Sequence, residues 1–296
     1  MADSLDTYLK KARTKVDRAL HRALPPATRQ PQVLHEAMRH SVFAGGKRLR
    51  PILALAAAEA CGGDPDEALP LACAVECIHT FSLIHDDLPC MDDDDMRRGR
   101  PTCHKVYGDA VALLAGDALQ AAAFAVASTH PGNPTYSAAQ MIGELAVASG
   151  SLQLVGGQVL DMQAEQRTET TPAQLRAIHL GKTAALLTCA LRLGAMSAAA
   201  GSAELDAVTR FGRNLGLAFQ VVDDILDVTQ NSETLGKTAG KDTASGKATY
   251  PAVHGIDGAK AEAARFTRAA RKALVPLGER ATTLHAIADR LLVRDH

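Results

Sequence analysis

Aromatic residues are scarce in this sequence of 296 residues: Phe, Trp and Tyr together make up 3%, and Trp is absent. Ala and Leu are abundant instead, a composition that favours helices over strands. Neither sign of charge is in excess, since 32 Lys and Arg stand against 33 Asp and Glu. We therefore expect no overall basic field and no nucleic-acid partner, so any electrostatic function must come from local clusters.

The sequence also lacks the patterns of zinc fingers, secreted proteins and membrane proteins. Its six cysteines form no C-x-x-C pair, which argues against a tetrahedral cysteine zinc site. The first residues, MADSLDTYLKKARTK, carry charges where a signal peptide has an apolar run. No stretch reaches the roughly 18 uninterrupted apolar residues expected of a membrane span. We expect a cytoplasmic enzyme with reduced thiols.

Apolar residues recur at helical spacing along most of the chain, and no run alternates as a strand would. Residues 51–60, 110–128 and 184–200 are apolar on most faces, so we expect these helices to be buried on several sides. No segment has the length or composition of a domain linker. The sequence predicts an all-α fold in which residues 1–296 form a single domain of about a dozen helices.

Two aspartate clusters interrupt the apolar helices. The first is HDDLPCMDDDD at residues 85–95, and the second is QVVDDILD at residues 220–227. Asp223 and Asp227 are four residues apart, which places their Cβ atoms on one helix face about 5–6 Å apart. Clustered carboxylates beside core residues are costly unless a cation is present. Because the EF-hand pattern is missing, magnesium shared with substrate phosphates is favoured over calcium.

Pro89 lies inside the first cluster and cannot continue a regular helix. We expect a distortion there that lets Asp92 turn back toward Asp86. Taken alone, residues 92–95 fit a solvated acidic loop equally well, and the second cluster fits a helix cap or a surface face. The presence of both clusters, each beside an apolar helix, favours the metal interpretation.

Basic residues accompany both clusters. GGKRLRP precedes one apolar helix, RRGR follows the first cluster, and Lys182 and Thr183 interrupt another apolar helix. Arginine forks and lysine point charges suit a diphosphate whose other oxygens face magnesium. Taken singly, each basic residue is more simply a surface charge, except Lys182 with its apolar neighbours. His79, two helical turns before Asp86, is by itself more simply a core residue.

These segments, in their order along the chain, resemble the trans-prenyl diphosphate synthase family. The matching motifs lie within residues 45–251 and read GGKRLRP, FSLIHDDLPCMDDDDMRRGRPTCH, GGQVLD, GKTAAL, FQVVDDILD, LGKTAGKD and GKATYP. The resemblance implies an isoprenoid synthase fold, with helices around a deep central cavity where the two aspartate motifs face each other. It also implies a homodimer, for which residues 110–128 are a candidate interface, although the same stretch fits an internal core equally well.

The resemblance also implies roles for individual residues. Three Mg²⁺ ions and the allylic diphosphate would bind at Asp86, Asp87, Asp92, Asp223 and Asp227, while Asp224 and Lys182 would complete the catalytic set. Isopentenyl diphosphate would be bound by Lys47, Arg50, His79 and Arg98. The allylic substrate would be held by Arg97, Lys182, Thr183, Gln220, Lys237 and Lys247. The resemblance thus changes the interpretation of His79 from a core residue to a ligand.

The implied reaction begins when magnesium neutralises the leaving diphosphate, so that the allylic C–O bond can ionise. The isopentenyl double bond attacks the resulting cation, which the apolar cavity keeps from water. A proton is then lost, with the released diphosphate as the base. No side chain is expected to act as a nucleophile.

Product length is predicted from the residues one turn before the first motif, Phe81 and Ser82. The four residues between Asp87 and Asp92 resemble the spacing of bacterial farnesyl and many plant geranylgeranyl diphosphate synthases. The aromatic ring of Phe81 resembles the bacterial farnesyl enzymes and predicts farnesyl diphosphate as the product. The alternatives are that Phe81 is ordinary core packing, or that the product is geranylgeranyl diphosphate.

Three further alternatives are less well supported. A terpene cyclase needs no isopentenyl site, so Lys47, Arg50 and Arg98 argue against one, as does the scarcity of aromatics. A silent subunit of a heteromeric synthase would carry eroded aspartate motifs, whereas both are intact. A metal-buffering protein would have no use for the basic residues.

Overall fold

The computed structural model describes residues 4–167, 169–229 and 248–292, and these are mostly helical. The α-helices, in chain order, are α1 (Leu5–Ala23), α2 (Gln32–Val42), α3 (Leu49–Ala60), α4 (Leu69–Asp86), α5 (Cys103–Tyr107), α6 (Asp109–Ala127), α7 (Ala138–Ser149), α8 (Leu154–Glu165), α9 (Pro172–His179), α10 (Ala185–Ser197), α11 (Ser202–Thr229), α12 (Tyr250–Ala273) and α13 (Thr282–Leu292). A π-helical turn, Leu180–Ala184, joins α9 to α10, and a 3₁₀-helix covers Val275–Ala281. The all-α prediction is confirmed.

Local sequence decides where several of these helices begin. The Ser137 and Thr171 side chains cap α7 and α9, and each forms a reciprocal capping box with a glutamine three residues later. Pro172 follows as the first residue of α9, where its missing N–H costs nothing. Such caps satisfy amide groups that the helix itself leaves without a partner.

The interior is built from α3, α4, α10 and α11. Helices α3 and α10 are buried along nearly their whole length, so the prediction for residues 51–60 and 184–200 is confirmed. Small residues let these two helices approach closely: a Cβ atom on Gly194 would lie 2.0 Å from the carbonyl oxygen of Ala54. This close packing gives the site a rigid base.

Helix α6 shows that the expected burial of residues 110–128 on several sides was wrong. One face packs against α2 and α4, but Leu113 and Leu114 are 46% and 56% exposed. By length and composition, α6 is the one helix in the described ranges that could cross a membrane, and 33% of its apolar window is buried. The helix has packing neighbours on one side, so its other apolar face is left uncovered by the part of the chain that the structure describes.

A short antiparallel hairpin follows the first aspartate cluster. Strand β1 (Met96–Arg97) pairs with β2 (Arg100–Pro101). The two turn residues, Arg98 and Gly99, both have positive φ, at 54° and 74°, as hairpins of this length require. Strands of two residues are too short to show alternation in a sequence, so the pattern gave no indication of them.

Candidate active site

The first aspartate motif lies at the C-terminal end of α4. The helix ends at Asp86, and Asp87 and Leu88 continue into a turn that contains Pro89. The backbone N–H of Asp92 donates to the carbonyl oxygen of Asp86 at 2.8 Å. The predicted return of Asp92 toward Asp86 is therefore confirmed, and the motif is drawn into one compact turn.

The Asp87 carboxylate faces the hairpin and binds Arg97. Arg97 Nε donates to both carboxylate oxygens, at 2.7 and 2.9 Å, and Nη2 donates to Oδ1 at 2.5 Å. Burial raises the pKa of Asp87, although the hydrogen bonds from Arg97 act in the opposite direction. The hairpin thus orients a guanidinium directly against the metal motif.

Asp86 points toward a different group of residues. Burial raises its pKa to about 6, partly offset by the positive charge of Lys182, while the carboxylate of Asp92 raises it further. A desolvated carboxylate beside a second carboxylate is stabilised by a cation. This is the environment expected of a metal ligand.

Arg50, near the start of α3, forms a half-buried pair with His79 on α4. Arg50 Nη1 lies 3.1 Å from His79 Nε2, and because arginine only donates, this ring nitrogen accepts. Burial lowers the pKa of His79 well below its ordinary value, and the positive charge of Arg50 lowers it further. Arg50 Nε is buried without a hydrogen-bond partner. That donor suits an anion such as a diphosphate oxygen.

Arg98 approaches the glycine-rich loop from the hairpin. Its Nη1 donates to the carbonyl oxygen of Gly45 at 2.6 Å. Gly46, which Arg98 crosses, has a φ of 118°, a conformation that favours glycine over residues with a Cβ atom. Lys47 follows on the exposed side of this loop. Four residues predicted to bind isopentenyl diphosphate, Lys47, Arg50, His79 and Arg98, therefore lie on adjoining segments.

The π-helical turn carries Lys182 and Thr183. Lys182 Nζ donates to Asp161 Oδ2 on α8 at 2.5 Å. A Cβ atom on Gly157 would lie 2.2 Å from the backbone nitrogen of Lys182, so this glycine lets α8 and the turn meet. The widened turn redirects two polar side chains within an otherwise apolar segment.

The second aspartate motif is tied to that turn by hydrogen bonds. Thr183 Oγ1 donates to Gln220 Oε1 at 2.9 Å, and Gln220 Nε2 donates to Asp224 Oδ1 at 2.9 Å. Asp224 Oδ2 accepts from the backbone N–H of Tyr250 at 2.9 Å. Asp224 therefore links α11 to the start of α12 through Oδ2, while its Oδ1 atom holds Gln220 within α11.

Asp227 is only 4% exposed, and its Oδ2 atom has no hydrogen-bond partner. A buried carboxylate oxygen without a donor is costly. A bound cation would compensate for it, so Asp227 fits the metal-ligand role that the spacing predicts. Asp223 is half-buried one turn earlier on the same helix.

A cavity of about 440 Å³ joins many of these groups. Its polar lining includes Arg50, His79, Asp86, Lys182 and Thr183, and its apolar lining includes Phe81, Leu113, Leu154, Val155, Val159 and Leu186. One cavity thus combines residues predicted for both substrates with a long apolar wall. Lys237 and Lys247, also predicted to hold the allylic substrate, lie outside the described residues.

Several lining residues were not predicted from the sequence. Gln158, Val159 and Met162 line the cavity from α8, and Asp161 binds Lys182 from the same helix. The segment GGQVLD indicated that this helix matters, but helical spacing alone does not show which neighbour a face meets. His85 also lines the cavity, where its ring packs edge-on against Phe81 with centroids 5.1 Å apart.

Comparison with known proteins agrees with this arrangement. The family model described as Polyprenyl synthetase matches residues 31–275. A geranylgeranyl pyrophosphate synthase from Capsicum annuum is 47% identical over 291 residues, covering 98% of this chain and 78% of the relative.

Two solved structures are also similar. An FPP/GFPP synthase from Zymomonas mobilis superposes with a TM-score of 0.86 at 36% identity, covering 98% of this chain and 99% of the other. A geranylgeranyl pyrophosphate synthetase from Pyrococcus horikoshii gives a TM-score of 0.90 at 31% identity, covering 98% of both chains. Because the family model matches most of its length and the similar structures have the isoprenoid synthase fold, this chain belongs to the polyprenyl synthetase family of trans-prenyltransferases.

Proposed function

We propose that this chain is a magnesium-dependent synthase that condenses allylic diphosphates with isopentenyl diphosphate to give geranylgeranyl diphosphate. The observation that carries the proposal is the shared cavity, with Arg50 and His79 on one part of its wall and Asp86, Lys182 and Thr183 on another. Two clusters of phosphate-binding residues beside one apolar cavity suit two diphosphate substrates whose hydrocarbon parts must meet.

The residues present fit the metal. Asp227 has a buried oxygen without a donor, and the raised pKa of Asp86 reflects a desolvated negative charge. Carboxylates without a complete cage are typical of magnesium shared with substrate phosphates. Bound magnesium would supply the positive charge that makes a diphosphate a good leaving group. Asp86, Asp87 and Asp92 would hold it from the first motif, and Asp223 and Asp227 from the second.

The chain's own groups have distinct tasks in this reaction. Lys182 and Arg97 carry positive charge beside the first motif and would bind the allylic diphosphate, which positions the bond that breaks. Arg50 presents its free Nε–H to the second diphosphate, with neutral His79 holding the guanidinium. The apolar wall of Leu154, Val159 and Leu186 excludes water from the allylic cation.

A matched pair of variants tests the metal role. Asp227→Asn should lower turnover on the order of 100-fold or more, because the magnesium that neutralises the reacting diphosphate would lose a charged ligand. Asp257→Asn, an exposed residue on α12, is the control and should leave turnover unchanged. Steady-state assays with dimethylallyl and isopentenyl diphosphates over a range of magnesium concentrations provide the measurement. Near-normal turnover in Asp227→Asn would refute the assignment.

The proposed C20 product is supported by the similar enzymes from Capsicum annuum and Pyrococcus horikoshii, which are named geranylgeranyl synthases. A second candidate, farnesyl diphosphate, is favoured by Phe81, which is buried against His85 in the cavity wall. A bulky ring there would stop chain growth earlier. The two products differ by one isopentenyl unit. Only a geranylgeranyl diphosphate synthase would extend farnesyl diphosphate, so this substrate distinguishes the two candidates.

The discriminating experiment supplies dimethylallyl, geranyl or farnesyl diphosphate separately, each with isopentenyl diphosphate, and identifies the products by chromatography. Extension of farnesyl diphosphate to the C20 product supports the proposal, and accumulation of the C15 product supports the second candidate. Conversion of farnesyl diphosphate alone to a cyclic hydrocarbon would indicate a cyclase. No turnover of any substrate would indicate a silent subunit.

Phe81→Ala tests the chain-length role directly. If the ring forms the floor of the cavity, the variant should make longer products than the unsubstituted enzyme. Phe124→Ala is a matched control, since Phe124 is half-buried on α6 but does not line the cavity. An unchanged product distribution in Phe81→Ala would show that other residues set the length.

We also propose that two copies of the chain associate through α6, α7 and α8. Large apolar side chains on these helices and on the turn between α7 and α8 are exposed, including Leu114 at 56% and Leu152 at 84%, together with Val147 and Leu160. Such a patch usually marks an interface. Sedimentation should give a dimer, and Leu114→Glu should shift it toward monomer. A monomeric unsubstituted protein at micromolar concentration would refute the proposal.

A further inference from the structure

Three potential metal ligands come together beside the first aspartate motif but outside the cavity. Asp93 and Asp95 lie in the segment that leads to β1, and His104 lies in the short helix α5. One nitrogen or oxygen atom from each lies within 4.8 Å of the other two. None of the three lines the cavity that holds Asp86 and Lys182.

Hydrogen bonding determines which nitrogen of His104 carries the proton. Thr102 Oγ1 donates its single proton to the carbonyl oxygen of Asp94 at 2.7 Å. The same oxygen lies 3.1 Å from His104 Nδ1, so it must accept there, and Nδ1 is the protonated nitrogen. His104 Nε2 is then left with a lone pair.

That lone pair is buried without a partner. His104 is 6% exposed, and its Nε2 atom makes no hydrogen bond. The nearest carboxylate oxygen, Asp93 Oδ1, is 4.0 Å away, which is too long for a hydrogen bond. An imidazole that donates from one nitrogen and directs the other toward carboxylates is the usual arrangement of a metal-binding histidine.

We propose that Asp93, Asp95 and His104 bind a divalent transition-metal ion of the Zn²⁺ class, separate from the magnesium ions at the diphosphate. Magnesium prefers oxygen ligands, whereas an imidazole nitrogen with two carboxylates suits zinc and its neighbours in the first transition row. Three protein ligands leave one tetrahedral position for water.

Small movements complete the site. Metal–ligand bonds of about 2.0–2.2 Å bring ligand atoms to roughly 3.3–3.6 Å from one another in a tetrahedron. The exposed Asp93 and Asp95 side chains can rotate inward, while buried His104 stays in place. Lys105 Nζ, which lies 2.8 Å from Asp95 Oδ1, would be displaced. This ion pair is solvent-exposed and therefore weak.

The bound ion would join two segments that carry parts of the candidate active site. Asp93 and Asp95 directly follow Asp92 and precede Arg97, and His104 anchors α5 on the far side of the hairpin. A metal crosslink here would restrict the hairpin that presents Arg97 to Asp87. The site is thus a structural one that supports the diphosphate site and shares no ligand with it.

The test uses the full chain, stripped of metal with a chelator. Diphosphate is left out so that the aspartate motifs, which would share their magnesium with phosphate oxygens, compete less for the added metal. A Cys90→Ser background removes the exposed thiol, which could also bind zinc. Calorimetry with Zn²⁺ and visible absorption with Co²⁺ should give one ion per chain. Long-range ¹H–¹⁵N spectra should show a shift of His104 Nε2 on addition of Zn²⁺.

Four variants decide the assignment. His104→Gln should lose the Co²⁺ band, and Asp95→Asn should weaken binding at least about 10-fold. Because Asp95 is exposed, the second variant keeps the test valid if His104→Gln fails to fold. Asp86→Asn and Asp223→Asn should bind Co²⁺ as the parent does. The proposal is overturned if the parent binds no ion below millimolar concentration, if Asp95→Asn binds Co²⁺ as tightly as the parent, or if binding is lost in Asp86→Asn or Asp223→Asn.

Discussion

Arg97 and Asp87 bind each other through three hydrogen bonds of 2.5 to 2.9 Å. The family resemblance implied different ligands for these residues, a diphosphate for the arginine and a metal ion for the aspartate. In the folded chain each neutralises the other, so a buried carboxylate is stabilised without substrate. The pair also fixes the orientation of the hairpin relative to α4.

Replacing Arg97 with Ala should lower the free energy of unfolding by about 1–3 kcal/mol, because the buried Asp87 carboxylate loses its counter-ion while Arg97 itself is partly exposed. Arg97→Lys keeps the charge but loses the bidentate geometry, so its free energy of unfolding should lie between those of Arg97→Ala and the unsubstituted protein. Urea unfolding measures the difference. Exposed Arg100→Ala is the control, and an equal effect of both alanine variants would contradict the role of the pair.

Asp86 should make the metal-free protein less stable as the pH rises. Folding raises its pKa from 3.8 to about 6, mainly through burial, so between these values the folded chain holds more protons than the unfolded chain. The free energy of unfolding therefore falls with rising pH across this window. The free energy of unfolding of Asp86→Asn should be higher than that of the unsubstituted protein by about 1–3 kcal/mol at pH 7.5. At pH 4 the two proteins should differ little.

Urea unfolding at the two pH values in the presence of a chelator checks this expectation. Asp257→Asn, on the exposed face of α12, should show no such dependence. A stability difference between Asp86→Asn and the unsubstituted protein that is the same at both pH values would show that Asp86 is not the titrating group.

Two glycines provide a matched test of helix packing around the π-helical turn. A Cβ atom on Gly157 would lie 2.2 Å from the Lys182 nitrogen, whereas nothing lies within 4 Å of one on Gly143. Gly157→Ala should cost about 1–3 kcal/mol or more and should lower activity, because the turn that carries Lys182 is displaced. Gly143→Ala should stabilise α7 by up to about 1 kcal/mol with activity unchanged. Thermal unfolding and turnover assays provide the measurements. Equal stability and equal activity of the two variants would contradict the packing role of Gly157.

Arg48 and Glu76 form an ion pair whose side chains are each 2% exposed, with Nη1 and Oε1 2.8 Å apart. Arg48→Met should cost about 3–5 kcal/mol, because Glu76 would remain buried without its partner. Combining it with Glu76→Leu should recover part of that loss. A double-mutant cycle by urea unfolding tests the coupling, and strictly additive losses would refute it.

Local sequence correctly predicted the all-α fold, the end of α4 and the turn of Asp92 toward Asp86. Each depends on neighbouring residues: helix-forming composition, and Pro89 in the path of the helix. The burial of residues 110–128 was predicted wrongly because apolar composition does not distinguish a core from an uncovered face. The single domain, the cytoplasmic location and the roles of Lys237 and Lys247 stay predictions.

By itself, the sequence determined that the chain is helical and that carboxylates and basic groups occur at spacings suited to magnesium and diphosphates. Only the tertiary structure decided which of these groups meet: Asp87 with Arg97, Lys182 with Asp161, and Thr183 with Gln220. The physical reason is that helical periodicity specifies the face on which a residue lies, whereas its partner is set by how helices distant in sequence pack together.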